Sequence, residues 1–128
     1  MELIIRNARE SDFESILSLF KQLWPNKQLN KEDLYVVFSR GILSEDNELY
    51  CAEIDNKVIG FCSYAIVNNF WQEGYIAYIY SMIVDEELRG KGIGTELLKK
   101  TFETAKLKGC KKIELDSGFH REQAHKFY

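Results

Sequence analysis

Arg89-Gly90-Lys91-Gly92-Ile93-Gly94 is the stretch of this sequence best suited to chemistry. Glycines at alternate positions let a backbone turn tightly and approach a ligand closely. The stretch stands between a β-prone run, Tyr75 to Val84, and a helical run, Gly92 to Lys108. The first amides of a helix have no intrahelical partners, and the helix dipole adds partial positive charge there. Such a turn suits a phosphate or pyrophosphate, with Arg89 and Lys91 adding charge beside it. The same pattern also serves as a helix start that holds no ligand. A dinucleotide site is a poor fit, because Thr95 stands where G-x-G-x-x-G needs its third glycine. Asp116, about 20 residues on, imitates the acid that holds a ribose in such sites. The hairpin ahead of the turn, however, belongs to another topology.

Other reactive residue types stand apart from this turn. His120 and His125, whose ordinary pKa is near neutral, fall in a polar helical run and read as surface residues. Glu45, Asp46 and Glu48 form an acidic loop, a pattern that is usually just solvated. Trp24 reads as core, whereas Phe70-Trp71, set in a polar loop, suits the wall of a ligand pocket. Cys51, Cys62 and Cys110 lack metal-type spacing, so they read as reduced, mostly buried thiols and no metal site is expected.

The elements that must position these residues follow from the periodicity. Leu3-Ile4-Ile5-Arg6 is a short first strand. Ser11-Asp12-Phe13-Glu14 has the form of a capping box. Ile16, Leu17, Phe20 and Leu23 follow at helical spacing, and Pro25 ends that helix by Trp24. A second helix starts after Asn30, with Leu34, Val37 and Phe38 on one face. Leu49 to Ile54 and Val58 to Val67 are strands joined by the turn Asp55-Asn56-Lys57. The helix after the glycines carries an apolar stripe of Ile93, Leu97, Leu98, Phe102 and Ala105. Gly109 suits the left-handed residue past its end. Lys112 to Asp116 alternates as a strand, and His120 to Tyr128 begins a last helix. The order β-α-α-β-β-β-α-β-α predicts an α/β fold, an antiparallel meander followed by one β-α-β crossover.

Length and composition set the frame. The 128 residues suit a single domain, 1–128, and 45% hydrophobic with 29% charged residues is a globular balance. A net charge of −3 argues against a general nucleic-acid binder. No run is long and apolar enough for a membrane helix, and the start lacks the pattern of a signal peptide, so a cytoplasmic setting is expected.

Taken together, Val84-x-x-x-x-Arg89-Gly90-Lys91-Gly92-Ile93-Gly94-x-x-Leu97-Leu98 resembles the acetyl-CoA motif of the GNAT superfamily of N-acetyltransferases. The resemblance extends over the flanking strand and helix and a second motif within Ile113 to Tyr128; the first half matches in element order only. It implies a GNAT-like mixed, mostly antiparallel twisted sheet with a central β-α-β crossover and helices on both faces. It implies acetyl-CoA as donor, its pyrophosphate held by amides from Gly90 to Thr95, including those of Lys91, Gly92, Ile93 and Gly94. Main-chain groups of Met82, Ile83 and Val84 would pair with the pantetheine arm, and an amide of that region would stabilise the oxyanion. Tyr128, in Ala124-x-x-Phe127-Tyr128, matches the phenol that protonates the leaving thiolate. Many members carry a glutamate on the strand entering the turn, where this chain has Tyr78, Tyr80 and Ser81. Asp116 is then the alternative base, similar in spacing to an aspartate of aminoglycoside 6′-N-acetyltransferases. Arg121 stands where the family usually has asparagine. The family's fold continues past the Tyr128 position with two more strands, so a truncated chain or a homodimer that completes the sheet is expected. The implied acceptor is a small-molecule primary amine, such as an aminoglycoside or polyamine-like compound, attacked directly in a ternary complex. The alternatives are a non-catalytic acyl-CoA-binding regulatory module and an acetyltransferase acting on protein or peptide amines.

Overall fold

β-Branched and aromatic runs pair into one sheet, and the amphipathic stretches between them cover its two faces. A computed structural model, describing residues 2–115, shows β1 (Leu3–Asn7), a 3-10 turn (Glu10–Asp12), α1 (Phe13–Leu23), α2 (Lys31–Leu43), β2 (Asn47–Ile54) and β3 (Lys57–Asn69). These are followed by β4 (Gly74–Val84), a second 3-10 turn (Glu86–Leu88), α3 (Ile93–Leu107) and β5 (Lys112–Leu115). The sheet order is β1-β2-β3-β4-β5. The first four strands are antiparallel neighbours, and β4 pairs with β5 in parallel across α3. This is the mixed, mostly antiparallel α/β sheet with a β-α-β crossover that the sequence predicts. Asp116 and the run His120 to Tyr128 lie outside the described residues.

Each face of the sheet has its own core. Tyr50, Cys62, Tyr64, Ile79 and Val84 pack with Ile93, Leu97 and Leu98 of α3. Cys51, Phe61 and Ile83 pack on the opposite face with Phe13, Ile16 and Leu17 of α1 and Phe38 of α2. Strands covered on both faces need apolar residues at nearly every position, which is why β3 and β4 read as continuous apolar runs. The β2–β3 connection is tight: Asp55 and Asn56 both have positive φ, 51° and 64°. Those two residue types tolerate the left-handed region, as a two-residue hairpin demands.

Strand β4 carries an irregularity. Ser63 of β3 pairs with Ser81, but the next residue, Tyr64, pairs with Ile79. Tyr80 is therefore the extra residue of a β-bulge. The bulge breaks the strict alternation of sides, so Tyr80 and Ser81, consecutive in sequence, both line the α1–α2 face.

Two sequence expectations give way to tertiary partners. Ser11 does not cap α1; the Asp12 carboxylate accepts from the Arg9 amide at 2.7 Å instead. Asp12 does so because both its oxygens are held by Arg6 of β1, at 2.8 and 2.9 Å, while Arg6 Nε donates to Glu53 of β2 at 2.7 Å. In α3 the buried stripe runs through Thr101, fully enclosed, and leaves Phe102 half exposed. The Thr101 hydroxyl donates to the Leu97 carbonyl at 3.1 Å, so a polar residue fits the core. Gly109 takes the left-handed conformation expected of it, φ 82°. The Cys110 amide then closes back on the Ala105 carbonyl at 3.0 Å.

The Arg6 guanidinium, followed by the Arg9 amide, holds the Asp12 carboxyl below its ordinary pKa against the opposing effect of burial. A depressed carboxylate contributes stability above the unfolded-state pKa and loses it as pH falls through the folded-state value. We expect Asp12→Asn to cost about 2 kcal/mol near pH 7. The gap to wild type should narrow as pH falls below the ordinary carboxylate range, toward pH 3, where wild type is losing the same contribution. Urea unfolding at both pH values checks this; a gap of constant size would show that the carboxylate charge is not what braces β1.

Candidate functional site

The main chain leaves β4 under close control. Asp85 N–H donates to the Ile59 carbonyl at 2.8 Å, keeping the chain on the sheet for one further residue. The Asp85 carboxylate accepts from the Glu87 amide at 3.0 Å and closes the Glu86–Leu88 turn. Gln22 braces this corner from α1: its carbonyl oxygen accepts from the Glu86 amide at 2.9 Å, and its amide group donates to Asp85 at 3.2 Å. Arg89 Nε donates back to the Val84 carbonyl at 3.1 Å, crossing the loop.

Beyond this corner the backbone twice enters the left-handed region, at Gly90 (φ 82°) and Gly92 (φ 84°). A Cβ at either position would meet nothing within 4 Å. Glycine is required there by backbone conformation, and the space outside the turn is open. Gly92 is the N-cap of α3 and brings no side-chain cap. The first ladder bond is Glu96 N–H to the Gly92 carbonyl at 3.1 Å. The amides of Ile93, Gly94 and Thr95 therefore lack intrahelical partners. Ile93 is buried against the sheet and anchors the helix end, while Arg89 and Lys91 are exposed on the turn. The arrangement fits an anionic group: uncapped amides, the positive end of a fifteen-residue helix, and two exposed cations beside open space.

Upstream, Met82, Ile83 and Val84 have buried side chains and pair with β3 as Cys62, Phe61 and Gly60. What they can offer a ligand is main chain. The described pairing of β4 with β5 covers Ile76 to Ile79. Just before them, Tyr80 and Ser81 face a cavity of about 50 Å³ between the sheet and helices α1 and α2. Phe13, Ile16, Phe20, Leu34, Phe38 and Phe61 form most of its wall. Tyr80 donates its hydroxyl to Asn47 Oδ1 at 2.6 Å, and Asn47 in turn donates to Ser44 at 3.1 Å. Burial pushes the Tyr80 phenol up, and Ser63 lies near enough to oppose that rise. Val37, expected on the buried face of α2, is 60% exposed and stands at the rim of the cavity.

The structure thus brings Met82, Ile83, Val84, Arg89, Gly90, Lys91, Gly92, Ile93, Gly94 and Thr95 to one corner of the molecule. Tyr128 and Asp116, the two residues expected to move protons, lie outside the described residues. Phe70 and Trp71 are 95% and 89% exposed on the β3–β4 turn, where they line no described pocket. That turn sits at the end of the hairpin opposite Val84. Trp24 stacks on Phe20 with ring centroids 5.3 Å apart and stays partly exposed, so it covers the core rather than filling it. Among the described residues no three His, Cys, Asp or Glu side chains group closely enough to hold a metal ion. None of the described helices is long and apolar enough to cross a membrane. Sequence reasoning missed Gln22, Asn47 and Ser63. Each acts on a partner at least 18 residues away, so nothing in its local sequence marks it.

An uncapped glycine turn leading from a bulged strand into a crossover helix marks an α/β protein whose strand end is chemically suited to an anionic group. Comparison with known proteins makes the class specific. The chain belongs to the acetyltransferase (GNAT) family, whose model matches residues 12–128. It is 28% identical to an uncharacterised N-acetyltransferase of Methanocaldococcus jannaschii, over 97% of this chain and 57% of that protein, so it spans little more than half that relative's length. It is 31% identical to the thialysine N-epsilon-acetyltransferase of Mus musculus, over 87% of this chain and 72% of the relative. In fold it is similar to an aminoglycoside N-acetyltransferase solved in complex with CoA, with a TM-score of 0.84 at 19% identity, covering 98% of this chain and 83% of that one.

The left-handed glycines give a direct test of the turn. Gly92→Ala places a methyl in open space and forces an L-residue to φ 84°, a penalty of about 1 kcal/mol. We expect the unfolding midpoint to fall by about 4 °C. A midpoint equal to wild type by thermal scan would show that the turn relaxes out of the left-handed region without loss.

Proposed function

We propose that this protein transfers an acetyl group from acetyl-CoA to a primary amine of a small molecule, with an aminoglycoside or a polyamine-like compound as the class of acceptor. The observation that carries the reading is the uncapped start of α3, where left-handed Gly90 and Gly92 leave amides free beside Arg89 and Lys91. In this reading the amides from Gly90 to Thr95 hold the pyrophosphate. The main chain of Met82 to Val84 pairs with the pantetheine arm as an added strand would. Relatives named as N-acetyltransferases and a similar fold solved with CoA support it.

Several residues of the chain divide the work. The N–H groups at the end of β4 stabilise the negative charge that builds on the thioester oxygen during attack. A lysine-like amine, of pKa about 10.4, is neutral in only about one molecule in a thousand near pH 7. A base must therefore take its proton. Asp116 is assigned that role, directly or through water, since β4 presents Tyr80 and Ser81 rather than a carboxylate. The carbon–nitrogen bond forms, the carbon–sulfur bond breaks, and Tyr128 is assigned to protonate the departing thiolate.

Transfer is direct rather than through a thioester on the protein. Burial pushes the Cys51 and Cys62 thiols up to about 12, and it raises the Cys110 thiol as well. Thiols so far from ionised are poor nucleophiles. Three free thiols also accord with the cytoplasmic setting we infer. A non-catalytic CoA-binding module is the second reading, favoured by the lack of a carboxylate among the described residues lining the cavity at β4.

Two measurements test the proposal. Gly92→Glu should abolish CoA binding by calorimetry, because bulk and like charge meet the phosphate site; unchanged affinity would refute the assignment. Tyr128→Phe should lower kcat at least tenfold, with CoA affinity nearly intact. A rate equal to wild type on an amine panel would remove the phenol from the mechanism, and no thiol release with any amine would favour the non-catalytic module.

A further inference from the structure

Among the described residues, the large apolar side chains exposed by 80% or more are Leu43, Phe70, Trp71 and Leu107. All four lie at the end of the molecule away from the glycine turn. Leu43 ends α2, Phe70 and Trp71 form the β3–β4 turn, and Leu107 ends α3. Beside them opens a groove of about 450 Å³, lined by Glu45, Asp46, Ile66, Asn68, Tyr75 and Lys108. Acetyl transfer uses neither these side chains nor this groove. Apolar residues exposed singly are ordinary, but four gathered around one groove mark a contact surface.

The turn holds its two aromatics outward on an ordered frame. Gln72 N–H donates to Asn69 Oδ1 at 2.9 Å, and Glu73 N–H donates to the Phe70 carbonyl at 3.1 Å. Lys111 Nζ donates to the Glu73 carbonyl at 2.9 Å. An anchor ordered before contact loses little freedom on binding. The groove, for its part, suits an indole. About ten non-hydrogen atoms need about 100–150 Å³, at about 10–15 Å³ for each, so the groove holds one with room to spare. Glu45 and Asp46 are exposed acceptors there, whereas the Lys108 ammonium is already engaged by Glu48. The indole N–H supplies a donor, and the Tyr75 ring is an aromatic wall. The chain's own Trp71 leaves the groove open, being 89% exposed. It stands three residues beyond Asn68, about 10 Å along a strand.

We propose that a second copy of this chain fills the groove: across a two-fold axis, Trp71 of each copy enters the other's groove, and Phe70 packs on the rim of Leu43 and Leu107. Reciprocal contact of this kind closes as a dimer, since the same patch serves both copies. Phe and Trp bury about 150–250 Å² each, and the surface they cover loses a similar area. Two exchanged tips then reach the roughly 1,200–2,000 Å² of a stable interface. A membrane is the poorer occupant, because Glu45, Asp46 and Glu73 are exposed at the same end and an anionic leaflet repels them. The dimer leaves the glycine turn open, so it stands independently of the CoA reading.

Native mass spectrometry and sedimentation equilibrium of the full chain test the dimer. Wild type should associate with a dissociation constant in the micromolar range or below. Trp71→Ala should weaken association about thirtyfold or more. Asn68→Arg, which fills the groove from an exposed position, should do the same. Mixed together, these two variants should form a heterodimer tighter than either forms alone, because one tip and one groove remain intact. In a Trp24→Phe background, Trp71 emission should shift to the blue as concentration rises through the dimer range. Circular dichroism confirms folding, and Trp71→Ala with the emission shift decides the matter if Asn68→Arg does not fold. A chain still monomeric at about 100 µM overturns the proposal. So does a dimer that Trp71→Ala leaves intact, or a monomer that instead binds phosphatidylserine vesicles through Trp71.

Discussion

A helix that begins without a side-chain cap exposes its first-turn amides to whatever approaches from outside. In α3 this happens where two glycines bend the backbone into the left-handed region and the strand behind them is pinned. The pinning is as important as the glycines. Asp85 and Gln22 tie the loop to the strand and to α1, Arg89 reaches back to Val84, and Ile93 seats the helix end on the sheet. Amides aimed at a ligand act through preorganisation, because their orientation is set before binding rather than during it. The glycines supply freedom to reach the conformation, and the surrounding hydrogen bonds remove it again.

The bulge in β4 has a comparable effect on the other side of the strand. A regular strand would send Tyr80 and Ser81 to opposite faces. The extra residue places both over the cavity under α1 and α2 and leaves Met82 to Val84 in normal register with β3. One strand thereby presents side-chain hydroxyls to one face and main chain to its edge within five residues. The tyrosine is fixed by Asn47, which Ser44 holds in turn. That chain of contacts links the site to the turn between α2 and β2 and makes the bulge a built feature of the fold.

Much of this architecture was legible because local signals agree with the tertiary result. Period-two and period-3.6 patterns gave every strand and helix among the described residues, and Pro25, Asn30, Asp55-Asn56 and Gly109 marked boundaries by known backbone preferences. The glycine turn was legible for the same reason: a left-handed N-cap is a property of glycine itself. What escaped was whatever depends on a distant partner. Ser11 makes no cap of α1, and the Asp12 carboxylate beside it is held by Arg6 of a neighbouring strand and by the Arg9 amide. Thr101 displaced Phe102 from the buried stripe because its hydroxyl is satisfied inside its own helix. The bulge was hidden altogether, since register belongs to two strands and β4 alone reads as unbroken. The assignments of Tyr128 and Asp116 rest on motif resemblance, so they stand apart from anything packing could decide.

The connections between strands also bear on how such a site comes into being. β2 meets β3 through the two-residue turn at Asp55-Asn56, and β3 meets β4 across a similarly short link, so these pairings need little loop closure. The parallel pairing of β4 with β5 instead closes a crossover that contains the whole of α3. Contacts close along the chain generally form sooner than those that span a crossover. The bulge and the strand edge therefore lie in the part of the molecule closed by short loops, whereas the glycine turn lies at its seam with the part joined through the crossover. A ligand bound across that seam would tie the short-loop meander to the crossover helix, and so would oppose the separation of the two.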